Sequence, residues 1–148
     1  MIYLGSDHGG FNLKERVKAW LDEWGYQYED LGNTVYDSGD DYPRFAFEVA
    51  KKVGRGVEEE NRGILFCRSA VGMVIAANKV KGARVAACYD EKMTRLSREH
   101  NNANIIALPG DKLTDEQAKN ILKIFLETEF SSDARHRRRV GQIVDFES

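Results

Sequence analysis

The chain has 148 residues, 42% of them hydrophobic and 31% charged, which are ordinary proportions for one globular domain. Its net charge of -2 gives no signal for a nucleic-acid or anionic-membrane partner. No apolar run approaches the roughly 20 residues of a membrane span, and the amino terminus lacks the basic segment of a signal peptide. We therefore expect a single cytoplasmic domain over residues 1–148 that contacts neither membrane nor nucleic acid.

Strands and helices are predicted to alternate along the chain. Short apolar or alternating runs predict strands over residues 1–5, 26–30, 64–66, 84–88 and 104–108. Helical spacing of apolar residues predicts helices over residues 11–24, 43–53, 73–79, 90–100, 114–125 and about 134–146. Asp90 is a predicted N-cap, and Thr114 with Gln117 is a predicted capping box. Gly54–Gly56 should end the second helix.

This alternation predicts a Rossmann-like three-layer α/β/α sandwich with a five-stranded parallel sheet. We expect the strand order 2-1-3-4-5, whose switch point lies between the first and third strands. Ligands bind beyond the carboxyl ends of the strands at such a point. Asp7, His8 and Cys67 should therefore meet there, although they are far apart in the chain.

The stretch from Arg62 to Lys79, RGILFCRSAVGMVIAANK, gives the strongest chemical signal. A strand, a tight turn and a helix in this order point backbone N–H groups and the positive end of a helix dipole at an anion. A thiol at that turn would have a lowered pKa. Cys67 is therefore a candidate catalytic base, and the turn behind it a candidate oxyanion cradle. The alternative is that Cys67 only packs in the core, as buried cysteines usually do.

The histidines and acidic residues allow more than one interpretation. Asp7–His8 offers an acid/base pair or an anion contact, although a lone histidine is often structural. His100 ends a predicted helix and could simply interact with its carboxyl end. Three scattered histidines show no metal-ligand spacing. Glu58–Glu60 is interpreted as a solvated connection and not as a metal site.

The run from Arg135 to Arg139 is the densest charge in the chain. Most such runs are solvated helix faces. A nucleic-acid patch is disfavoured by the acidic total and by the missing motif. A phosphate clamp fits if the arginines reach a crevice, because Arg135 and Arg139 are four residues apart and share a helix face.

A cysteine on a turn from a strand into a helix also describes the low-molecular-weight tyrosine phosphatases. Those enzymes need an arginine six residues after the cysteine, to bind the phosphoryl group. This chain has Met73 at that position, and the phosphatase alternative is set aside.

The stretch around Cys67 resembles the core motif of the type B ribose-5-phosphate isomerases, a family that includes the galactose-6-phosphate isomerase subunits. The matching residues span the chain in motif order: Ser6–Phe11, Asp41–Pro43, Gly63–Cys67, Val71–Gly72, Ile75–Lys79, Gly82–Arg84, Ser97–Asn101, Asn104, Arg135–His136 and Arg139. The resemblance implies a homodimer with active sites shared between subunits and no metal or organic cofactor. Pairing of two dimers into a tetramer stays an open alternative. It also implies interconversion of ribose 5-phosphate and ribulose 5-phosphate through a cis-enediolate.

The resemblance assigns a role to each matching residue. Cys67 would move the proton between the two carbons; some relatives use a glutamate at the position of Met73 instead, and its absence agrees with Cys67 as base. His100, aided by Asp7, would open the sugar ring. Ser69 and the N–H groups around it would hold the oxyanion. His8, Arg135 and Arg139 would bind the phosphate, and Tyr42 and Asn101 would line the sugar. Apart from the resemblance, we expect the turn residues Arg68, Ala70, Val71 and Gly72 to contact the substrate. The partner subunit would supply His100 and the arginines, so the basic helix should pack on that subunit.

Two positions depart from the family pattern. The family turn is usually Gly-Thr/Ser-Gly, whereas this chain has Arg68-Ser69-Ala70. If those glycines have positive φ, Arg68 and Ala70 are strained or the turn is reshaped. Relatives often carry a phosphate-binding arginine where this chain has Asp111. Two alternatives therefore stay open: isomerisation of another, six-carbon sugar phosphate, and a sugar-phosphate-binding protein without catalysis.

Overall fold

A computed structural model of the chain describes residues 1–54 and 60–148. The strands are β1 (Ile2–Ser6), β2 (Tyr28–Asp30), β3 (Arg62–Cys67), β4 (Val85–Ala87) and β5 (Ile105–Pro109). The helices are α1 (Phe11–Glu23), α2 (Tyr42–Gly54), α3 (Val71–Ala77), α4 (Glu91–Glu99), α5 (Asp115–Glu127) and α6 (Ala134–Phe146). The predicted alternation is confirmed. The predicted end of α2 beyond Gly54 and the acidic stretch at 58–59 lie outside the described residues.

All strand pairs are parallel, and the sheet order is β2-β1-β3-β5-β4. The expected order 2-1-3-4-5 is wrong in its last two positions. Every residue of β5 is buried, whereas β4 has three residues, two of them partly exposed. The longer apolar strand therefore takes the interior position and the short one the edge. The adjacency of β1 and β3 is as predicted, so the switch point between them is confirmed.

Side-chain alternation along the central strands divides the core into two layers. Ile64 and Phe66 of β3 pack with α1 and α5 on one face of the sheet. Leu65 and Cys67 pack with α2 and α3 on the other face. The predicted three-layer sandwich is confirmed, and Cys67 projects to the α2–α3 side.

Two helix caps predicted from the sequence are present. Asp90 caps α4 by accepting the backbone N–H of Met93, and Thr114 with Gln117 forms the capping box of α5. Among the helices of the described ranges, none has the length and apolar character needed to cross a membrane.

Candidate active site

The ends of β1 and β3 bring the first and third turns together. Ser6 pairs with Phe66 in register, so Asp7 and Cys67 leave neighbouring strand ends. The turn at Gly10 lies so close to β3 that a Cβ there would collide with the backbone of Phe66. The predicted meeting of the Asp7–His8 turn with the turn at Cys67 is therefore confirmed.

The turn after Cys67 wraps around the sulfur. The backbone N–H of Ala70 donates to Cys67 Sγ at 3.0 Å. Ala70 is buried and left-handed, with φ 71° and ψ -15°. Within residues 1–54 and 60–148, Ala70 and Asn102 are the only non-glycine residues with positive φ. Of the two turn residues for which strain was considered, Ala70 has a positive φ and Arg68 does not.

Cys67 is a thiol in an apolar setting. Its exposed fraction is 6%. Burial raises the pKa of the thiol and the negative charge of Asp7 adds to that rise, while backbone N–H groups including that of Ala70 oppose it. The predicted lowering of the Cys67 pKa is therefore wrong for the single chain. A helix of seven residues, α3, does not outweigh the desolvation of the sulfur.

His8 is held by an acidic residue that sequence reasoning did not identify. Asp40 Oδ1 lies 2.7 Å from His8 Nδ1 and also accepts the backbone N–H of His8 at 3.0 Å. No local pattern marks Asp40, since it lies 32 residues from His8 in a polar loop. Burial raises the pKa of Asp7, and the negative charge of Asp40 adds to that rise while His8 opposes it.

Within the described residues, Asp7, His8 and Asp40 form a group that could hold a cation. Asp7, His8 and Asp40 offer ligand atoms that all lie within 4.8 Å of one another. His8 Nδ1 and Asp40 Oδ1 already satisfy each other, so binding a metal ion there would cost this hydrogen bond. The expected absence of a metal stays a prediction.

Two exposed charged side chains, those of Arg68 and Asp111, lie beside the turn that follows Cys67. Arg68 Nη1 lies 3.9 Å from Asp111 Oδ2. The backbone joins the same two residues, because the N–H of Asp111 donates to the carbonyl of Arg68 at 3.3 Å. The two positions that depart from the family pattern are thus in contact with each other.

Aromatic side chains border the same turn. A Cβ on Gly72 would lie 2.6 Å from Cζ of Tyr42, so the tyrosine ring packs directly on the start of α3. The hydroxyl of Tyr89 donates to the carbonyl of Ser69 at 2.8 Å. Sequence reasoning identified Tyr42 but missed Tyr89, whose partner Ser69 lies 20 residues away in the chain. We call this cluster the carboxyl half-site; its members are Asp7, His8, Asp40, Tyr42, Cys67, Arg68, Ser69, Ala70, Val71 and Gly72.

The remaining predicted site residues form a second cluster around a pair of histidines. His100, the C-cap of α4, stacks on His136 of α6 with ring centroids 4.0 Å apart. His136 is buried, and its pKa is lowered by that burial together with the positive charges of His100 and Arg135. Asn101, Arg135 and Arg139 are exposed beside this stack. We call this cluster the amino half-site; its members are His100, Asn101, Arg135, His136 and Arg139.

The two half-sites lie at opposite ends of the sheet. His100 and Asn101 precede Ile105, the first residue of β5, whereas Cys67 pairs with Pro109, the last. The length of β5 puts roughly 13 Å between these ends at ~3.3 Å per residue. The single chain therefore does not bring His100, Asn101, Arg135 or Arg139 to Cys67.

Comparison with known proteins gives one consistent result. A family model described as Ribose/Galactose Isomerase matches residues 2–143. A putative sugar phosphate isomerase of Bacillus subtilis is 42% identical over 146 residues, which cover 99% of this chain and 96% of the relative.

Two solved structures of ribose-5-phosphate isomerase B superpose on the whole fold. That of Clostridium thermocellum has a TM-score of 0.91 and 43% identity, and the match covers 99% of this chain and 96% of that one. That of Mycoplasma genitalium, with bound ribulose-5-phosphate, has a TM-score of 0.93 and 40% identity, and the match covers 99% and 95% of the two chains. On the family match and these full-length similarities, the chain belongs to the ribose/galactose isomerase family.

Proposed function

We propose that this protein is an aldose–ketose isomerase that interconverts ribose 5-phosphate and ribulose 5-phosphate. The observation that carries the proposal is the carboxyl half-site: a buried thiol at the switch point of the sheet, in contact with a turn of backbone N–H groups. The likeness to an isomerase that holds ribulose-5-phosphate supports the choice of substrate.

Cys67 is the base in this proposal. Its thiolate takes a proton from one substrate carbon and returns it to the neighbouring carbon, through a cis-enediolate. In the single chain, burial keeps the proton on the sulfur. The cations of the amino half-site, supplied by a second copy, would lower the pKa of Cys67 in the assembled site.

The other residues bind the substrate and its developing charge. Ser69 and the backbone N–H groups around it that do not contact the sulfur hold the enediolate oxygen. His8, Arg135 and Arg139 bind the phosphate, since guanidinium groups match phosphate geometry. Tyr42, Asn101 and Arg68 line the sugar, and His100 with Asp7 opens its ring.

We infer a homodimer in which each active site combines the carboxyl half-site of one copy with the amino half-site of the other. The separation of the two half-sites by the length of β5 supports this arrangement. So does the α3 surface beside the carboxyl half-site, which exposes the apolar side chains of Val71 and Ile75. Packing of α6 on the partner and pairing into tetramers stay predictions. The free thiols of Cys67 and Cys88 suit the reducing cytoplasm.

The test is conversion of ribose 5-phosphate by the purified protein without added metal. We expect Cys67→Ala to lower kcat by about 10²- to 10⁴-fold, the usual contribution of a general base. Cys88→Ala is the matched control, because Cys88 is buried on the opposite face of the sheet and should leave kcat unchanged. Full activity of the Cys67→Ala variant would remove Cys67 from the mechanism.

A six-carbon sugar phosphate is the second candidate substrate. The contact between Arg68 and Asp111 favours it, because this pair alters the charges at the mouth of the site. A panel of pentose and hexose phosphates ranked by kcat/KM decides between the two. Calorimetric binding of a sugar phosphate with no turnover on the whole panel would instead identify a binding protein.

A further inference from the structure

We propose that Asp40 is a positioning residue, which keeps Nδ1 of His8 protonated and the ring in one orientation, so that Nε2 faces the substrate and, in the imidazolium form, donates to its anionic group. The inference rests on the proposed function for the identity of that substrate, a sugar phosphate. The positioning itself rests on geometry within the carboxyl half-site.

The carboxylate of Asp40 accepts two hydrogen bonds from His8. Oδ1 accepts from the backbone N–H at 3.0 Å and from the ring Nδ1 at 2.7 Å. An ionised carboxylate is only an acceptor, so Nδ1 must carry the hydrogen. Nε2 is then the one ring nitrogen left for the substrate, as acceptor in the neutral ring or as donor to phosphate in the cation.

Asp40 is well placed to stay ionised. Its side chain is 6% exposed. Burial by itself would favour the neutral acid, but hydrogen bonds from the ring and backbone of His8 and from Asn33 hold the pKa of Asp40 below its usual range. The carboxylate is therefore a fixed acceptor at neutral pH.

The loop that carries Asp40 is fixed to the sheet and to α1. Its start is joined to β1 by two backbone hydrogen bonds, from Ser6 N–H to the Gly32 carbonyl at 2.7 Å and from Asn33 N–H to the Ser6 carbonyl at 2.8 Å. The fully buried Lys14 donates to the Asn33 carbonyl at 2.6 Å. Asn33 Nδ2 in turn lies 3.4 Å from Asp40 Oδ2. These contacts fix the position of Asp40 relative to the sheet, and Asp40 in turn fixes the orientation of the His8 ring.

The first readout is the tautomer of His8, measured by long-range ¹H–¹⁵N NMR. The chain has three histidines, so the His8 signals can be assigned by comparison with His8→Ala. We expect the Nδ1–H tautomer in the parent protein and in Asp40→Asn, whose side-chain oxygen still accepts. We expect a mixture in Asp40→Ala. An unchanged tautomer in Asp40→Ala would overturn the proposal.

The second readout separates positioning from folding. We expect Asp40→Ala to raise KM for ribose 5-phosphate by about tenfold, the loss of one oriented contact to a charged group, with kcat within about twofold. In a His8→Ala background the same substitution should add no further loss. An equal loss in both backgrounds would show that Asp40 acts independently of His8 and would overturn the proposal. Asp37→Asn is the matched control, since Asp37 lies exposed in the same loop and accepts from Gly39.

Two controls keep this inference separate from the proposed function. Titration with inorganic phosphate should shift the His8 signals in the parent protein, whether or not the protein turns over any sugar. In Asp40→Ala the Kd for phosphate, obtained from the same titration, should be about tenfold higher. Mg²⁺, Mn²⁺ and Zn²⁺ should leave these signals in place. A cation that shifts them in the parent protein but not in Asp40→Ala would assign Asp7, His8 and Asp40 to a metal site and overturn the proposal.

Discussion

Ala70 donates its backbone N–H to the Cys67 sulfur across 3.0 Å while it adopts a left-handed conformation, with φ 71°. The left-handed conformation costs an L-residue other than glycine roughly 1–2 kcal/mol. Because α3 starts at the next residue, this one backbone reversal both begins the helix and directs the N–H at the thiol. The turn therefore holds strain at the residue that contacts the candidate base.

We expect Ala70→Gly to change the free energy of unfolding by less than about 1 kcal/mol, because relief of left-handed strain offsets the loss of a buried methyl group, worth ~0.8 kcal/mol. Ala46→Gly is the matched control, since Ala46 is equally buried but lies inside α2. It should cost about 2 kcal/mol, the sum of the lost methyl group and the helix penalty of glycine. Urea unfolding measures both. Equal losses would contradict the strain at Ala70.

The protonation of Cys67 gives a second prediction. Because burial raises the pKa of this thiol in the single chain, a dilute monomeric sample should react slowly with iodoacetamide near pH 7, and its rate should rise steeply only above the ordinary thiol value of 9.0. The proposed dimer, with the cations of the amino half-site beside the sulfur, should react faster at the same pH. The Cys88→Ala variant isolates the reaction, which is followed by mass spectrometry. The raised pKa also makes the free energy of unfolding depend on pH, because the native state binds the thiol proton more tightly than the unfolded state does. The stabilising contribution of this thiol is present below the unfolded pKa and is lost as pH rises through the folded pKa. Fast, pH-independent alkylation would contradict the raised pKa.

The sequence predicted those features of the site that depend on local patterns. The apolar run before Cys67 identified a buried strand, and Asp7 and Cys67 meet because parallel strands end at one edge of the sheet. The strand order was missed because it depends on the relative burial of β4 and β5. Asp40 and Tyr89 were missed because their partners are distant in the chain. The direction of the Cys67 pKa shift was missed because desolvation depends on tertiary packing.

The buried cation of α1 gives a third prediction, on stability. Lys14 is fully buried and its Nζ lies 2.6 Å from Asp30 Oδ2. Lys14→Met leaves that carboxylate with the half-buried Lys18, 3.0 Å away, and the Gly32 N–H as partners. We expect a loss of roughly 3 kcal/mol, the low end for breaking a buried pair. Lys18→Met is the matched control and should cost less than ~1 kcal/mol. Unfolding in urea measures both losses.

The Lys14→Met loss should depend on pH with a defined sign. Burial of Asp30 opposes ionisation, but hydrogen bonds from Lys14, the Gly32 N–H and Lys18 hold the pKa of Asp30 below its usual value of 3.8. The pair therefore contributes fully above pH 3.8, and its contribution is lost as pH falls through the folded pKa. The difference between parent and variant should shrink in that acid range. A constant difference would place the effect in packing instead of in the ion pair.

The exposed pair at the mouth of the site gives a fourth prediction. Asp111→Asn frees Arg68 from a carboxylate 3.9 Å away and removes one negative charge from the path of an anionic substrate. We expect KM to fall by roughly twofold at low salt, with the gain lost above ~0.5 M salt. Arg68→Gln should change KM in the opposite direction. The free energy of unfolding should change by less than ~0.5 kcal/mol in either variant, because the pair is exposed. A salt-independent KM would contradict a role for this pair in attracting the substrate.

The separation of His100 from Cys67 along β5 gives the fifth prediction, because each chain then contributes half of two sites. Cys67→Ala and His100→Ala should each be nearly inactive alone. When the two variants are mixed in equal amounts and refolded together, half of the dimers should be heterodimers. In the proposed arrangement, each heterodimer has one intact site, with Cys67 from one copy and His100 from the other. The mixture should regain about a quarter of the parent activity. A mixture of Cys67→Ala with Ser69→Ala is the control, because both changes fall in the carboxyl half-site and every site stays defective. Failure of the first mixture to exceed the second would contradict a site shared between two copies.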